Sequence, residues 1–349
     1  MTAALPLSLE YPFGDPPAPA ATLEVAPGIA WLRMPLPFAL DHINLWLLDD
    51  GHGATLVDCA YGSAATRELW ERHFATTLRD RPLRRIIATH YHPDHVGNAQ
   101  WLCERAGCTL SMTHAEFMTA HAVVDERAGY DVDRMVALFR QHGMAEEHIA
   151  AMRARGNAYK RGVPSLPASF ERLIDADHLT IDGQAWQIIE GHGHSPEHAS
   201  LYNANLGVLI SGDMLLPRIS TNISVWAVEP EGDPLRRFLD SLARFENLPP
   251  QTLVLPSHGL PFRGIAMRIA ELRAHHAARL AELEAAVQER GASTAADIVP
   301  VLFRRELDLQ QRFFAMGEAI AHLNHLWHAG RLGRTVTRDN HVLYTPATP

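Results

Sequence analysis

The chain has 349 residues, 47% of them hydrophobic and 20% charged, with a formal net charge of -9. That length suits one large domain plus a smaller one, and that composition excludes a disordered chain. The acidic balance argues against a general polyanion binder, and no apolar run of about 18 residues is present to span a membrane.

The first third predicts strands. "TLEVAPGIAWLRM", "HINLWLLDD" and "GATLVDC" are rich in β-branched and aromatic residues, with "APG" and "DDGHG" as turns between them. "SAATRELWERHFATTL" has helical periodicity, "LRRIIATH" is a short buried strand, and "VGNAQWLCERAG" is a helix stopped by Gly107 before the strand "CTLSMT". From about 114 to 172 the pattern turns helical and polar with no strand signal, as an insertion that could serve as a lid or pocket wall. Strands resume in "LTIDGQAWQIIEG" and "ASLYNANLGVLISGD", with a hairpin turn at "NANLG", and end with "TLVLPSHG". Beyond Phe262 three helices are expected, the second capped by Ser293 and Thr294. A hairpin with Asp339-Asn340 in its turn then completes a winged-helix-like module. The division expected is 1–262 with the insertion at 114–172, then 263–349.

The three cysteines, Cys59, Cys103 and Cys108, are an odd number, and no second pair completes a zinc site around Cys103 and Cys108. Reduced thiols in a cytoplasmic protein are expected. The N-terminal "MTAALPLSLEYPFGD" has no basic start or long apolar core, so no signal peptide is expected.

"THYHPDHVGN" packs three histidines and an aspartate around one proline. His90 and His92 alternate at a strand end and point to one side. Pro93 stops the strand, and Asp94 and His95 lie on the turn into a helix, free to aim at a neighbouring point. One segment thus offers ligands to two adjacent ions; imidazole with carboxylate suits zinc, and also iron or manganese. In a chain with 21 histidines such a cluster could be structural. Three later candidates complete it: His194 before a strand, and Asp213 and His258 each at the end of an apolar run. Loops at strand ends are where such sites are built.

H-x-H-x-D-H, then G-H-S-P-x-H, then S-G-D, then S-H-G, in this order, resembles the metallo-beta-lactamase superfamily. The resemblance implies an α/β (α+β) architecture, an αββα sandwich with metals at one edge of two packed sheets. It implies His90, His92 and His194 as ligands of a first metal, and Asp94, His95 and His258 as ligands of a second. Asp213 is implied as the bridging carboxylate, and Asp58 as a support behind the ligands. Around Asp58 the sequence has Cys59-Ala60 where the family has Thr-Gly. His198 is expected to hydrogen-bond behind the ligands, and His192 to lie on the rim. Within the superfamily the chain resembles the hydroxyacylglutathione hydrolase branch and its beta-lactamase-like protein 2 group, in Glu197 of "GHSPEH", in His275-His276, and in the C-terminal module.

The resemblance implies two divalent ions, Zn2+ first and Fe or Mn as alternatives, sharing a hydroxide oriented by Asp94. The expected substrate is a small acyl compound, most simply a thioester; a single-strand RNA nuclease and a lactonase are the alternatives. Tyr91, Tyr159 and Asn222 are candidates to stabilise an oxyanion, and Arg218 to bind a carboxylate or phosphate. A small-molecule partner and a homodimer are expected, without nucleic acid or membrane.

Overall fold

The computed structural model describes residues 8–347. Contacts divide them into two compact units. The first comprises residues 8–124, 159–221 and 241–269.

Two sheets form this unit. The seven-stranded sheet has the order β1 (Leu23–Ala26), β2 (Ile29–Pro35), β3 (His42–Asp50), β4 (Gly53–Val57), β5 (Leu83–Ile87), β6 (Thr109–Thr113) and β7 (Glu171–Leu173). The five-stranded sheet has the spatial order β12 (Leu253–Pro256), β11 (Val208–Gly212), β10 (His198–Asn203), β9 (Gln184–Gly191) and β8 (His178–Ile181). Trp31, Trp46, Val57 and Ile87 of the first sheet share one buried cluster with Trp186, Ile188, Leu201, Ile210 and Leu255 of the second. The sandwich core therefore lies between them. Helices α1 (Ala64–Ala75) and α3 (Ala99–Ala106) pack on the larger sheet.

Strand direction sets where the chemistry collects. β4, β5 and β6 run parallel, so their C-terminal ends share one edge of their sheet. β11 and β12 are parallel, and β9 shares their direction because β10 runs antiparallel to both β9 and β11. The segments leaving β4, β5, β9, β11 and β12 begin at Asp58, Ala88, His192, Asp213 and Ser257.

Two elements depart from the sequence expectation. The expected all-helical stretch at 114–172 ends in strand β7, paired parallel to β6. Its three residues, Glu-Arg-Leu, are too few for period-2 alternation to register. The rest of that stretch is α4 (His114–Val124), α5 (Val132–Gln141), α6 (Glu146–Arg155) and α7 (Tyr159–Gly162). In addition, α8 (Pro234–Leu242) forms where no element was predicted.

The second unit comprises residues 125–158, 222–240 and 270–347. It holds α5, α6, α10 (Ala295–Leu302), α11 (Leu309–His328) and the hairpin β13 (Leu332–Val336) and β14 (Val342–Pro346). Helix α9 (Ile265–Arg290) runs from the first unit into it. Thr294 is the N-cap of α10 and closes a capping box with Asp297, and Asn340 takes the left-handed φ of +64° in the hairpin turn. Tyr344 donates its hydroxyl proton to Asn324 Oδ1 at 2.6 Å inside this unit. Among the described residues no helix is long and apolar enough to cross a membrane.

Candidate metal centre

The segment after β5 is shaped by its proline. His92 precedes Pro93 and is held extended, at φ -59° and ψ 150°. Pro93 then occupies the first position of α2 (Pro93–Val96), where its missing N–H costs nothing. The change from extended backbone at His92 to helical turn at Pro93 separates His90 and His92, in the segment after β5, from Asp94 and His95. Three glycines close the space behind. A methyl on Gly97 would run into the backbone carbonyls of Gly162 and Pro93, and one on Gly62 would lie 2.7 Å from the carbonyls of Gly162 and Gly97. Backbone cannot swing aside as a side chain can. Gly97→Ala is therefore expected to destabilise the protein by about 3 kcal/mol, seen as a lower urea midpoint with an unchanged slope. An unchanged midpoint would show that the loop relaxes freely.

The seven predicted donors come together as two groups, His90, His92, His194 and Asp213 in one, Asp94, His95 and His258 in the other. In the first, His90 Nε2 lies 2.9 Å from His92 Nδ1 and 3.1 Å from His194 Nε2, and His194 Nε2 lies 3.4 Å from Asp213 Oδ2. In the second, His95 Nε2 lies 3.6 Å from Asp94 Oδ2, and His258 Nε2 lies 3.4 Å from the same oxygen. Asp213 faces both: its Oδ1 is 3.7 Å from His95 Nε2 and 3.5 Å from His258 Nε2.

Ligands at about 2.0–2.1 Å from a tetrahedral ion stand about 3.3–3.4 Å apart. The 3.4–3.7 Å spacings around Asp94 and Asp213 approach that value, while the 2.9 and 3.1 Å spacings about His90 Nε2 are tighter. His95 Nε2 and Asp213 Oδ1 are buried and have no hydrogen-bond partner among the described residues, an arrangement that costs free energy unless a cation meets them. Three outer ring nitrogens are already committed. His90 Nδ1 is 3.0 Å from Thr89 Oγ1, His95 Nδ1 is 2.9 Å from Asp58 Oδ2, and His258 Nδ1 is 2.8 Å from the His42 carbonyl. Such partners fix the ring and leave the inner nitrogen for the ion.

Electrostatics follow burial and neighbours. Burial and the surrounding imidazoles hold His90 well below the ordinary histidine range, and burial with His194 does the same for His92. Both therefore present lone pairs at neutral pH. Burial opposes ionisation of Asp94, but His95 and His258 prevail and bring it to about 2. Burial likewise lowers His95, yet Asp58, Asp94 and Asp213 lift it to about 10, so a proton and a cation compete for this nitrogen.

The supporting residues are equally defined. Asp58 Oδ1 accepts from Thr89 N–H at 2.8 Å, while its Oδ2 holds His95. Asp58 sits at φ +64°, and Ala60 at φ +65°, where the family motif has glycine. Asn98 Nδ2 donates to the Tyr61 carbonyl at 2.9 Å, and Cys59 N–H to the His95 carbonyl at 2.7 Å, which docks this turn against α2. His198 Nε2 accepts from Asp213 N–H at 3.0 Å; burial and His194 bring His198 to about 3, so it is the neutral acceptor this bond needs. The His192 ring bonds the Pro196 carbonyl and joins neither group.

The predicted substrate residues are placed less uniformly. Tyr91 is buried with its ring against His92, at a centroid distance of 4.6 Å. Tyr159 donates its hydroxyl proton to the Tyr91 carbonyl at 2.5 Å. Arg218 is exposed and stacks 5.8 Å over Tyr11. Asn222 belongs to the second unit, where it donates to Glu318 and accepts from Ser224. The sequence reading overlooked Thr89, His42 and Glu116. Burial pushes the Glu116 carboxyl up to about 7, and it accepts backbone N–H bonds from Tyr91 and Glu197. A single Glu in a polar helical stretch carries no sequence signal for that role.

A two-sheet sandwich with these donors at the strand ends is the architecture of a metal-dependent hydrolase. The chain belongs to the metallo-beta-lactamase superfamily, whose family model matches residues 39–258. A second model, the metallo-beta-lactamase-like C-terminal domain, matches residues 280–347. The chain is similar to a crystal structure of a beta-lactamase domain protein from Burkholderia ambifaria, with a TM-score of 0.90 and 48% identity over 97% of this chain and 98% of that one. It is 25% identical over 305 residues to "Probable metallo-hydrolase YqjP" of Bacillus subtilis (strain 168), covering 84% of this chain and 90% of that one. It is also 32% identical over 121 residues to a hydroxyacylglutathione hydrolase of Rhodobacter capsulatus, 32% of this chain and 44% of that one.

Proposed function

We propose that this chain is a dinuclear hydrolase of a small acyl substrate, with a thioester as the favoured substrate and Zn2+ as the favoured ion. The observation that carries the reading is the Asp213 carboxylate, one oxygen toward each donor group. Bound divalent cations supply an acidified water as nucleophile and a Lewis acid for the carbonyl oxygen. The chain's residues do the rest. His90, His92 and His194 hold one position; Asp94, His95 and His258 hold the other. Asp94 also orients the attacking water, through a carboxylate that stays ionised. Asp58, Thr89, His42 and His198 fix the donors in place. The similarity to a hydroxyacylglutathione hydrolase supports a thioester over other acyl compounds.

The test is a substrate panel on full-length protein of known metal content: acyl-CoA and glutathione thioesters, lactones, a cephalosporin and single-stranded RNA. Thioester cleavage is expected, lost on chelation and restored by Zn2+. Asp94→Ala is expected to reduce metal content from two ions towards one and to lose more activity than His258→Ala, because it removes a water-orienting group as well as a ligand. Cleavage of RNA alone or of lactones alone, abolished in His92→Ala, would replace the thioester reading. Wild-type protein that binds no metal would sink the metal assignment.

A further inference from the structure

The two histidine-bearing loops of the first donor group come from different sheets. His90 and His92 follow β5, and His194 follows β9. One backbone bond, from Ala199 N–H to the Thr89 carbonyl at 2.8 Å, crosses between them. A pair of glutamates adds a second link. Glu116, in the first turn of α4 and fully buried, accepts from Tyr91 N–H at 2.9 Å through Oε2 and from Glu197 N–H at 2.7 Å through Oε1. Tyr91 lies between His90 and His92, and Glu197 lies three residues beyond His194. One planar carboxylate thus spans both loops, with an oxygen for each.

Glu197 returns the contact. Its Oε2 accepts from Ala115 N–H at 2.9 Å, and its carbonyl accepts from Thr113 Oγ1 at 2.7 Å. Ala115 is in the first turn of α4, where backbone N–H groups lack helical partners and an anion is favoured. Glu197 stands where the G-H-T-P-G-H motif of the metallo-beta-lactamase resemblance has its second glycine. A glycine there could accept through its carbonyl but could not bind Ala115. Tyr159 adds a third tie, because its hydroxyl holds the Tyr91 carbonyl while Glu116 holds the Tyr91 N–H.

We infer that Glu116, locked reciprocally with Glu197, is a positioning residue that sets the spacing of the His90/His92 loop against the His194 loop and so tunes the affinity and geometry of the first metal position. The inference rests on the metal-binding reading proposed above. A carboxylate is required because both donors are N–H groups and both oxygens must accept. In Glu116→Gln one of the two N–H groups faces an NH2.

The experiment compares wild type, Glu116→Gln and Glu116→Asp as full-length proteins. Each is stripped of metal, titrated with Zn2+ against a chromophoric chelator, loaded with Co2+ for its visible ligand-field spectrum, and melted metal-free. Glu116→Gln is expected to lose about 10–100-fold in affinity for one of the two ions, with an altered Co2+ spectrum. Glu116→Asp, which keeps both acceptors on a shorter arm, is expected to fall between the two, and it provides the readout if the glutamine variant does not fold. Wild-type affinity and spectrum in the variants would overturn the clamp. So would a lower metal-free melting temperature with affinity and spectrum unchanged, since that is a merely structural role. Wild type that binds no metal overturns both the clamp and the dinuclear reading; wild type that binds two while the variants bind equally well overturns the clamp alone.

Discussion

Asp213→Ala is expected to lower kcat/KM by at least about 10^3-fold, a loss of roughly 4 kcal/mol of transition-state stabilisation. The other donors serve one group each, whereas Asp213 presents Oδ2 to His194 and Oδ1 to both His95 and His258. Removing it takes a carboxylate oxygen away from each donor group. It also removes the charge that most raises His258 against its burial. No neighbouring carboxylate can replace it, because Asp94 already faces His95 and His258, and Asp58 is engaged on the far side of the His95 ring. Asp213→Asn should be the milder change, since its amide oxygen can still meet one position while its NH2 repels a cation at the other. Elemental analysis of purified protein, beside kcat/KM at saturating metal, checks both. Wild-type metal content and activity in Asp213→Ala would refute the shared-carboxylate role.

The second large effect belongs to Asp58. Its carboxylate is buried and accepts from Thr89 N–H, Thr89 Oγ1 and the His95 ring. Asp58→Ala would leave the buried Thr89 N–H without an acceptor and His95 Nδ1 with only Thr89 Oγ1, at 3.2 Å. An unsatisfied buried group costs about 1–3 kcal/mol, and breaking a buried charge pair about 3–5 kcal/mol. A destabilisation of about 3 kcal/mol is expected, or a Tm lower by roughly 6–12 °C. Metal affinity should fall as well, because His95 loses the partner that fixes its tautomer, by about 10–100-fold. Asp58→Asn separates the effects. Its amide oxygen can still accept from Thr89, but its NH2 cannot accept from His95 Nδ1–H. Calorimetry of metal-free protein reads the first loss and chelator competition the second; Asp58→Asn with unchanged affinity would deny Asp58 any part in holding the metal ligand.

Both effects arise from side chains that were legible as residue types. His92 and Asp94 flank Pro93, and His194, Asp213 and His258 each follow a glycine or serine in the segment after a strand, where backbone periodicity is easiest to read. The helices of the C-terminal segment were legible for the same reason, as was the Thr294 cap. Short elements were not. The three residues of β7 carry no usable period, and α8 was not anticipated. The supporting side chains were harder still. Tyr159 read as a hydroxyl available to substrate, but its proton is spent on the Tyr91 carbonyl. Asn222 read as an oxyanion donor, but its amide is held by Glu318.

The sequence by itself determined which donor types are available. Imidazoles and carboxylates at those spacings, with Pro93 between His92 and Asp94, suit divalent cations. Covalent order also dictated that one short segment supplies four donors, because the switch from strand to helical turn is local. Tertiary structure decided everything that depends on residues far apart in the chain. Parallel pairing of β11 with β12 and of β4 with β5 brings Asp213 beside His258 and Asp58 beside Thr89, through contacts that no local window contains. It also decided which polar groups are spent on structure. A hydrogen bond such as Glu116 to Tyr91 depends on burial and direction, and neither is a property of the residue alone.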